Sequence, residues 1–126
     1  QYGVPRRYQA AIVSLSPCAR VLRRQGLNHL HAWLVVEELC RSGVEVFCLS
    51  PGARAIPLLA ALREHPRARL QLFNDERAAA FWAQGFGKAG GLACLVCTSG
   101  TATANYLPGV VEAFMSSTPL VVVTTD

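Results

Sequence analysis

The sequence predicts an α/β protein with a doubly wound parallel sheet. Three observations predict it. Segments with helical periodicity alternate with short apolar segments four times along residues 28–126. The last two apolar segments, 92–98 and 120–125, are nearly continuous Leu, Val, Ala, Cys and Thr, the pattern of strands buried on both faces of a parallel sheet. The residues with chemistry to offer fall in three loops, 50–55, 74–77 and 99–101, each directly after a strand, where open sheets of this class bind ligands.

Each element has its own signals. Asn28 is placed to cap a first helix, and Leu30, Trp33, Leu34, Val36 and Cys40 give it an apolar stripe, with Glu37, Glu38 and Arg41 off the stripe and Gly43 as its stop. Residues 44–49 read as the first strand. After the loop 50–55, Pro57 suits the first turn of a helix that carries Leu58, Leu59, Ala61 and Leu62 towards His65-Pro66. Residues 70–73 form the second strand. A central helix runs from about Asp75 to Lys88, with Ala78, Phe81, Trp82 and Gly85 at helical spacing, and stops at Gly90-Gly91. Residues 92–98 are the third strand. Ser99-Gly100-Thr101 turns the chain into a helix over 102–115, Pro119 marks a turn, and 120–125 is the fourth strand.

Composition narrows the function classes. The 126 residues suffice for one domain with a real core, and 52% are hydrophobic against 16% charged. Such a chain buries much of itself or expects a partner over part of its surface. No apolar run reaches the roughly 18 residues of a membrane span. The net charge of +4 is unevenly placed: residues 1–27 hold five Arg and no acid, whereas 28–126 hold seven Lys and Arg against eight Asp and Glu. The globular part is nearly neutral, which argues against a nucleic-acid surface. Residues 1–27 read as a basic leader or linker and 28–126 as the domain. Five cysteines, an odd number in apolar contexts, argue for free thiols in a reducing compartment. Cys94 and Cys97 form a C-x-x-C, but three residues apart on a strand they face opposite sides, so core thiols are expected.

The motifs divide by context. Gly85-Phe86-Gly87-Lys88-Ala89-Gly90 matches G-x-G-x-x-G but closes a helix instead of opening one, so it reads as a helix end. Glu76 stands at a strand-to-helix junction, from which a side chain can project past the sheet edge. Asp75 and Glu76 would also favour the positive end of the helix. Ser99-Gly100-Thr101 has the strand-turn-helix context in which backbone N–H groups hold an anion or a polar ring edge, or else a plain helix cap. Arg54, after Pro51-Gly52, can grip a carboxylate in bidentate fashion or lie solvated. His29, His31 and His65 lie outside the three loops, no hydrolytic triad is formed, and no cluster has metal-ligand spacing.

Ser50-Pro51-Gly52-Ala53-Arg54, Asp75-Glu76-Arg77, Thr98-Ser99-Gly100-Thr101-Ala102-Thr103-Ala104-Asn105 and Pro119-Leu120-Val121-Val122-Val123-Thr124 occur in this order. The set resembles the pyrimidine-binding (PYR) domain of thiamine-diphosphate enzymes, and within them the SEPHCHC synthase family of menaquinone and phylloquinone biosynthesis. Ser-Gly-Thr with Asn105 and Pro108 is specific to that family; acetolactate-synthase relatives carry Ser-Gly-Pro-Gly. The resemblance implies a three-layer αβα fold, thiamine diphosphate and Mg²⁺ as cofactors, and 2-oxoglutarate and isochorismate as substrates. It assigns Glu76 to the carboxyl that hydrogen-bonds N1′ of the aminopyrimidine, with Ser99, Gly100 and Thr101 at the cofactor. It assigns Arg54, with Ala53 beside it, to an acidic substrate. Phe73, Phe81 and Trp82 are candidates for the pocket walls.

Two departures stand out. The family has Ser-Arg-Ser after Pro-Gly where this chain has Ala53-Arg54-Ala55, and Asn74 stands where Phe is common. The Gly-Asp-Gly…Asn signature that holds diphosphate and Mg²⁺ is absent from the sequence. The resemblance places it in a second domain, with the active site formed between subunits of a homodimer or homotetramer. The isolated chain is therefore expected to be inactive. An acetolactate-synthase-like carboligase, or a non-catalytic interaction domain of a multifunctional protein, are the alternatives. The setting implied is soluble, in a plastid or otherwise the cytoplasm.

Overall fold

The computed structural model describes residues 26–126; the expected leader and Cys18 lie outside the described residues, apart from Gly26 and Leu27. The elements, in order, are α1 (Leu27–Arg41), β1 (Val46–Leu49), a 3₁₀ turn (Ala53–Ala55), α2 (Ile56–Glu64), β2 (Arg69–Leu72), α3 (Glu76–Lys88), β3 (Ala93–Cys97), α4 (Thr101–Asn105), α5 (Leu107–Met115) and β4 (Val121–Thr124). The four strands form one sheet in the order β2-β1-β3-β4, parallel throughout.

The pleat builds two cores, one on each face. Phe47, Leu49, Cys94 and Val96 face α1 and α2, where Trp33, Val36, Ala61 and Leu62 meet them. Val46, Cys48, Leu95 and Cys97 face Ala79, Ala80, Ala83 and Tyr106 of the α3–α5 side. The molecule is thus three layers, as expected. Cys94 and Cys97 lie in opposite cores, so the C-x-x-C holds two separate thiols. Cys40, Cys48, Cys94 and Cys97 are all free, and burial pushes the Cys48 and Cys94 thiols up to about 12.

Several local expectations are corrected. The cap of α1 is Gly26, not Asn28, which lies inside the helix. The buried face of α1 is His29, Ala32, Trp33 and Val36, while Leu34 is 41% exposed. Leu34 sits about 100° round the helix from Trp33, so it falls off the stripe despite its apolar side chain. The single helix expected over 102–115 is two. Pro108 has no N–H to give to the preceding turn, and its ring crowds the carbonyl four residues back. The chain breaks at Tyr106, and Pro108 sits in the first turn of α5. β4 is an edge strand whose residues alternate between half-buried and exposed, not a strand covered on both faces. β3, in the interior of the sheet, is buried throughout.

Candidate functional site

The strand order reverses between β1 and β3, so the loops after these two strands diverge around a crevice at the carboxyl rim of the sheet. The two loops nevertheless touch. A Cβ on Gly52 would lie 2.4 Å from Cβ of Thr98, so only glycine lets the β1 loop pass this close to the end of β3. The approach brings Arg54 to the β3 loop, where its Nη1 donates to Ser99 Oγ over 3.1 Å. Gly100, with φ 74° and ψ −136°, then makes the turn into α4, a conformation costly for any residue with a Cβ. Arg54 and Ser99, two loops apart in sequence, therefore form one wall.

The third loop brings Glu76. Asp75 caps α3: its Oδ1 accepts from the backbone N–H of Ala78 over 2.9 Å. That leaves Glu76, the first helical residue, free of capping duty, and it reaches across to α4, accepting from Asn105 Nδ2 over 3.3 Å. The two neighbouring acids thus have separate tasks, Asp75 as the cap and Glu76 reaching outward as expected of it. Glu76 is half-buried. Below this rim lie two buried hydroxyls, Ser50 Oγ and Tyr106 Oη, which lie close to one another with Cys97 beside the phenol. Burial, then the neighbouring Cys97, pushes the Tyr106 phenol well above its ordinary range, and the Glu76 charge adds to this.

On the α1 side of Arg54 a cavity of about 550 Å³ opens. Ala53, Arg54, His31, Asn28, Thr124 and Asp126 contribute to its lining. His31 and Asn28 were not among the sequence candidates, because they precede Arg54 by more than twenty residues in a different element. No local pattern shows that the first turn of α1 packs beside the β1 loop. Of the two missing hydroxyls, only the one at Ala53 bears on this cavity; Ala55 is 1% exposed and belongs to the interior.

The expected aromatic walls are not at Glu76. Ala79, Ala80 and Ala83, at i+3, i+4 and i+7, share its side of α3 and are buried. Phe81 and Trp82 lie well round the helix and are 44% and 42% exposed. Trp82 instead stacks on Phe86, ring centroids 5.6 Å apart, and meets Phe73 at 5.8 Å. The G-x-G-x-x-G string ends α3, as its context required: Gly90 has φ +97°, and Gly87 lies against Thr118 and the carbonyl of Pro119.

The family described as "Thiamine pyrophosphate enzyme, N-terminal TPP binding domain" matches residues 31–126, which span all three loops and the whole sheet. The chain belongs to this family. Its similar relatives include proteins named 2-succinyl-5-enolpyruvyl-6-hydroxy-3-cyclohexene-1-carboxylate synthase. That of Chlorobium phaeobacteroides (strain BS1) is 53% identical over 106 residues, covering 83% of this chain and 18% of the relative. That of Pelodictyon phaeoclathratiforme (strain DSM 5477 / BU-1) is 46% identical over the same coverage. That of Chlorobaculum tepidum is 50% identical over 94 residues, 74% of this chain and 16% of the relative. The chain thus spans less than a fifth of the length of these relatives.

As a thiamine pyrophosphate enzyme N-terminal domain, the chain fits one end of its cofactor, thiamine diphosphate (the same molecule). A half-buried carboxylate at a capped helix start, with the buried Tyr106 hydroxyl near it, matches the hydrogen-bonding edge of a polar ring. The diphosphate end is not matched in the same way. Among the described residues no group of three or more His, Cys, Asp or Glu could hold a metal ion. Among them, too, no helix is long and apolar enough to cross a membrane.

Proposed function

We propose that this chain is the pyrimidine-binding part of a thiamine-diphosphate-dependent carboligase that decarboxylates 2-oxoglutarate and adds the product to isochorismate, forming SEPHCHC on the route to menaquinone or phylloquinone. The observation that carries the proposal is Glu76, held by Asn105 on the same rim as the Arg54–Ser99 wall. The names of the relatives, at 46% to 53% identity, support the choice of reaction. Bound thiamine diphosphate supplies an electron sink for loss of CO₂ from a 2-oxo acid.

The residues divide the remaining work. Glu76 holds a proton between its carboxyl and N1′ of the aminopyrimidine. Ser99, Gly100 and Thr101 border the ring on the β3 side. Arg54 receives a substrate carboxylate, its guanidinium already oriented by Ser99. Ala53, beside Arg54 at the cavity, leaves more room and one hydroxyl fewer than serine would. Mg²⁺ and the diphosphate are held by residues outside this chain, in a homodimer or homotetramer. In support, Leu107, Phe114 and Met115 of α5 are 62%, 82% and 74% exposed, apolar side chains that a partner subunit would cover. The bacterial relatives favour a cytoplasmic setting; a plastid setting rests on the acid-free, Arg-bearing residues 1–27.

The test is Glu76→Gln in the full-length protein. Gln keeps the shape but cannot take up or release the proton, so turnover of 2-oxoglutarate with isochorismate is expected to fall by about 10² to 10⁴-fold. An unchanged rate would overturn the proposal and leave a non-catalytic interaction domain. Turnover of pyruvate in the absence of isochorismate would instead place the chain with the acetolactate-synthase-like carboligases.

A further inference from the structure

We infer that Asn105 is the positioning residue of the site, the group that aims and holds the Glu76 carboxylate; the inference rests on the reading of Glu76 given above. Asn105 is the last residue of α4, and its Nδ2 donates to Glu76 Oε2 over 3.3 Å. An ionised carboxylate only accepts, so the amide must turn its NH₂ towards Glu76. Among the described residues Glu76 makes no second hydrogen bond, which leaves its other oxygen for a ligand.

The backbone is built to keep this contact. Tyr106, next to Asn105, is 2% exposed and anchors the α4–α5 junction in the core, and its N–H closes onto the carbonyl of Thr103 over 3.2 Å. One helical turn further along both chains, Gly109 meets Ala80. A Cβ on Gly109 would lie 2.5 Å from Cβ of Ala80. Gly109 follows Asn105 by four residues and Ala80 follows Glu76 by four, so α5 meets α3 closely just beyond the Asn105–Glu76 contact. The break at Tyr106 lets α4 end over Glu76 while α5 packs tightly on α3. Together these features fix where the amide stands relative to the carboxylate.

The experiment compares Asn105→Ala, Asn105→Asp, Asn105→Gln and Gly109→Ala with Glu76→Gln in the full-length protein. It measures kcat and KM for the 2-oxo acid across pH, the dissociation constant for thiamine diphosphate from tryptophan fluorescence of the apo-protein, and apo thermal stability. Asn105→Ala is expected to lower kcat by about tenfold to a hundredfold and to weaken cofactor binding, with KM and thermal stability nearly unchanged. Asn105→Asp sets a second carboxylate against the first and moves the acid limb of the kcat profile upward by about one pH unit. Asn105→Gln keeps the donor and recovers part of the rate. Gly109→Ala spreads the helices, lowering both stability and kcat. If Asn105→Ala matches the unsubstituted protein in kcat, cofactor affinity and acid limb while Glu76→Gln is inactive, the positioning role is wrong and the assignment of Glu76 stands. If Glu76→Gln keeps the full rate, both fall together.

Discussion

Glu37 shows how much one side chain on α1 takes from its neighbours. Its carboxylate meets His65 Nε2 at 2.7 Å, Arg67 Nη2 at 2.7 Å and Arg41 Nε at 2.8 Å. The backbone N–H of Arg67 donates to His65 Nδ1, so it is Nε2 that carries the hydrogen donated to Glu37. These contacts, the His65 hydrogen bond first and Arg67 next, hold the Glu37 carboxyl at about 2, down from an ordinary 4.5. The folded state therefore binds this proton less readily than the unfolded chain does. The stabilisation is fully present above pH 4.5 and is lost as the pH falls towards 2. Urea unfolding midpoints across this window are expected to drop steeply in the parent protein and less steeply in Glu37→Gln. Equal slopes would show that the cluster does not contribute. Sequence alone marked Glu37 only as off the apolar stripe, since two of its three partners come from beyond α2, 28 and 30 residues on. Asp75 and Glu76 were legible as helix-end acids. That Glu76 meets Asn105, 29 residues away, was not legible there.

At the scale of elements, α3 separates two uses of glycine within one string. Gly87 faces β4's approach, where an added Cβ would lie 2.5 Å from Thr118 Cγ2 and 3.0 Å from the Pro119 carbonyl. Gly85 is exposed, and an added Cβ would meet nothing within 4 Å. Gly87→Ala is therefore expected to destabilise by about 1–3 kcal/mol through overpacking, and Gly85→Ala to stabilise by up to about 1 kcal/mol through helix propensity. Calorimetric melting of the two variants checks this; a shift of the same sign in both would contradict it. The string alone could not assign these roles, because a sequence pattern gives spacing along the helix and not what stands opposite. Its helix-ending role was legible, because Gly90-Gly91 follows directly and a strand comes next.

At the scale of the whole molecule, the sheet has two unequal edges and a covered centre. β1 and β3 are buried throughout, while β2 and β4 at the edges are largely or partly exposed. The carboxyl rim of the sheet carries a carboxylate, an arginine and hydroxyls, yet no metal-holding group among the described residues. Under the proposed function this rim is one half of a composite site. The 126-residue chain by itself is expected to show no turnover and to bind thiamine diphosphate at least tenfold more weakly than the full-length protein does. Calorimetric titration of both, with a carboligation assay, checks this, and turnover by the monodisperse isolated chain would refute it.

The sequence by itself determined the class of fold, the order of strands and helices along the chain, the separation of Cys94 from Cys97 and the three loops that carry the candidate site residues. These follow from local periodicity and from the alternation of side chains along a strand, which act over a few residues. Only the tertiary structure decided that Phe81 and Trp82 turn away from Glu76, that His31 stands beside Arg54, and that Asn105 meets Glu76. Each depends on which surfaces lie against one another across the sheet or between helices, and contacts between residues distant in the chain leave no periodic trace along it.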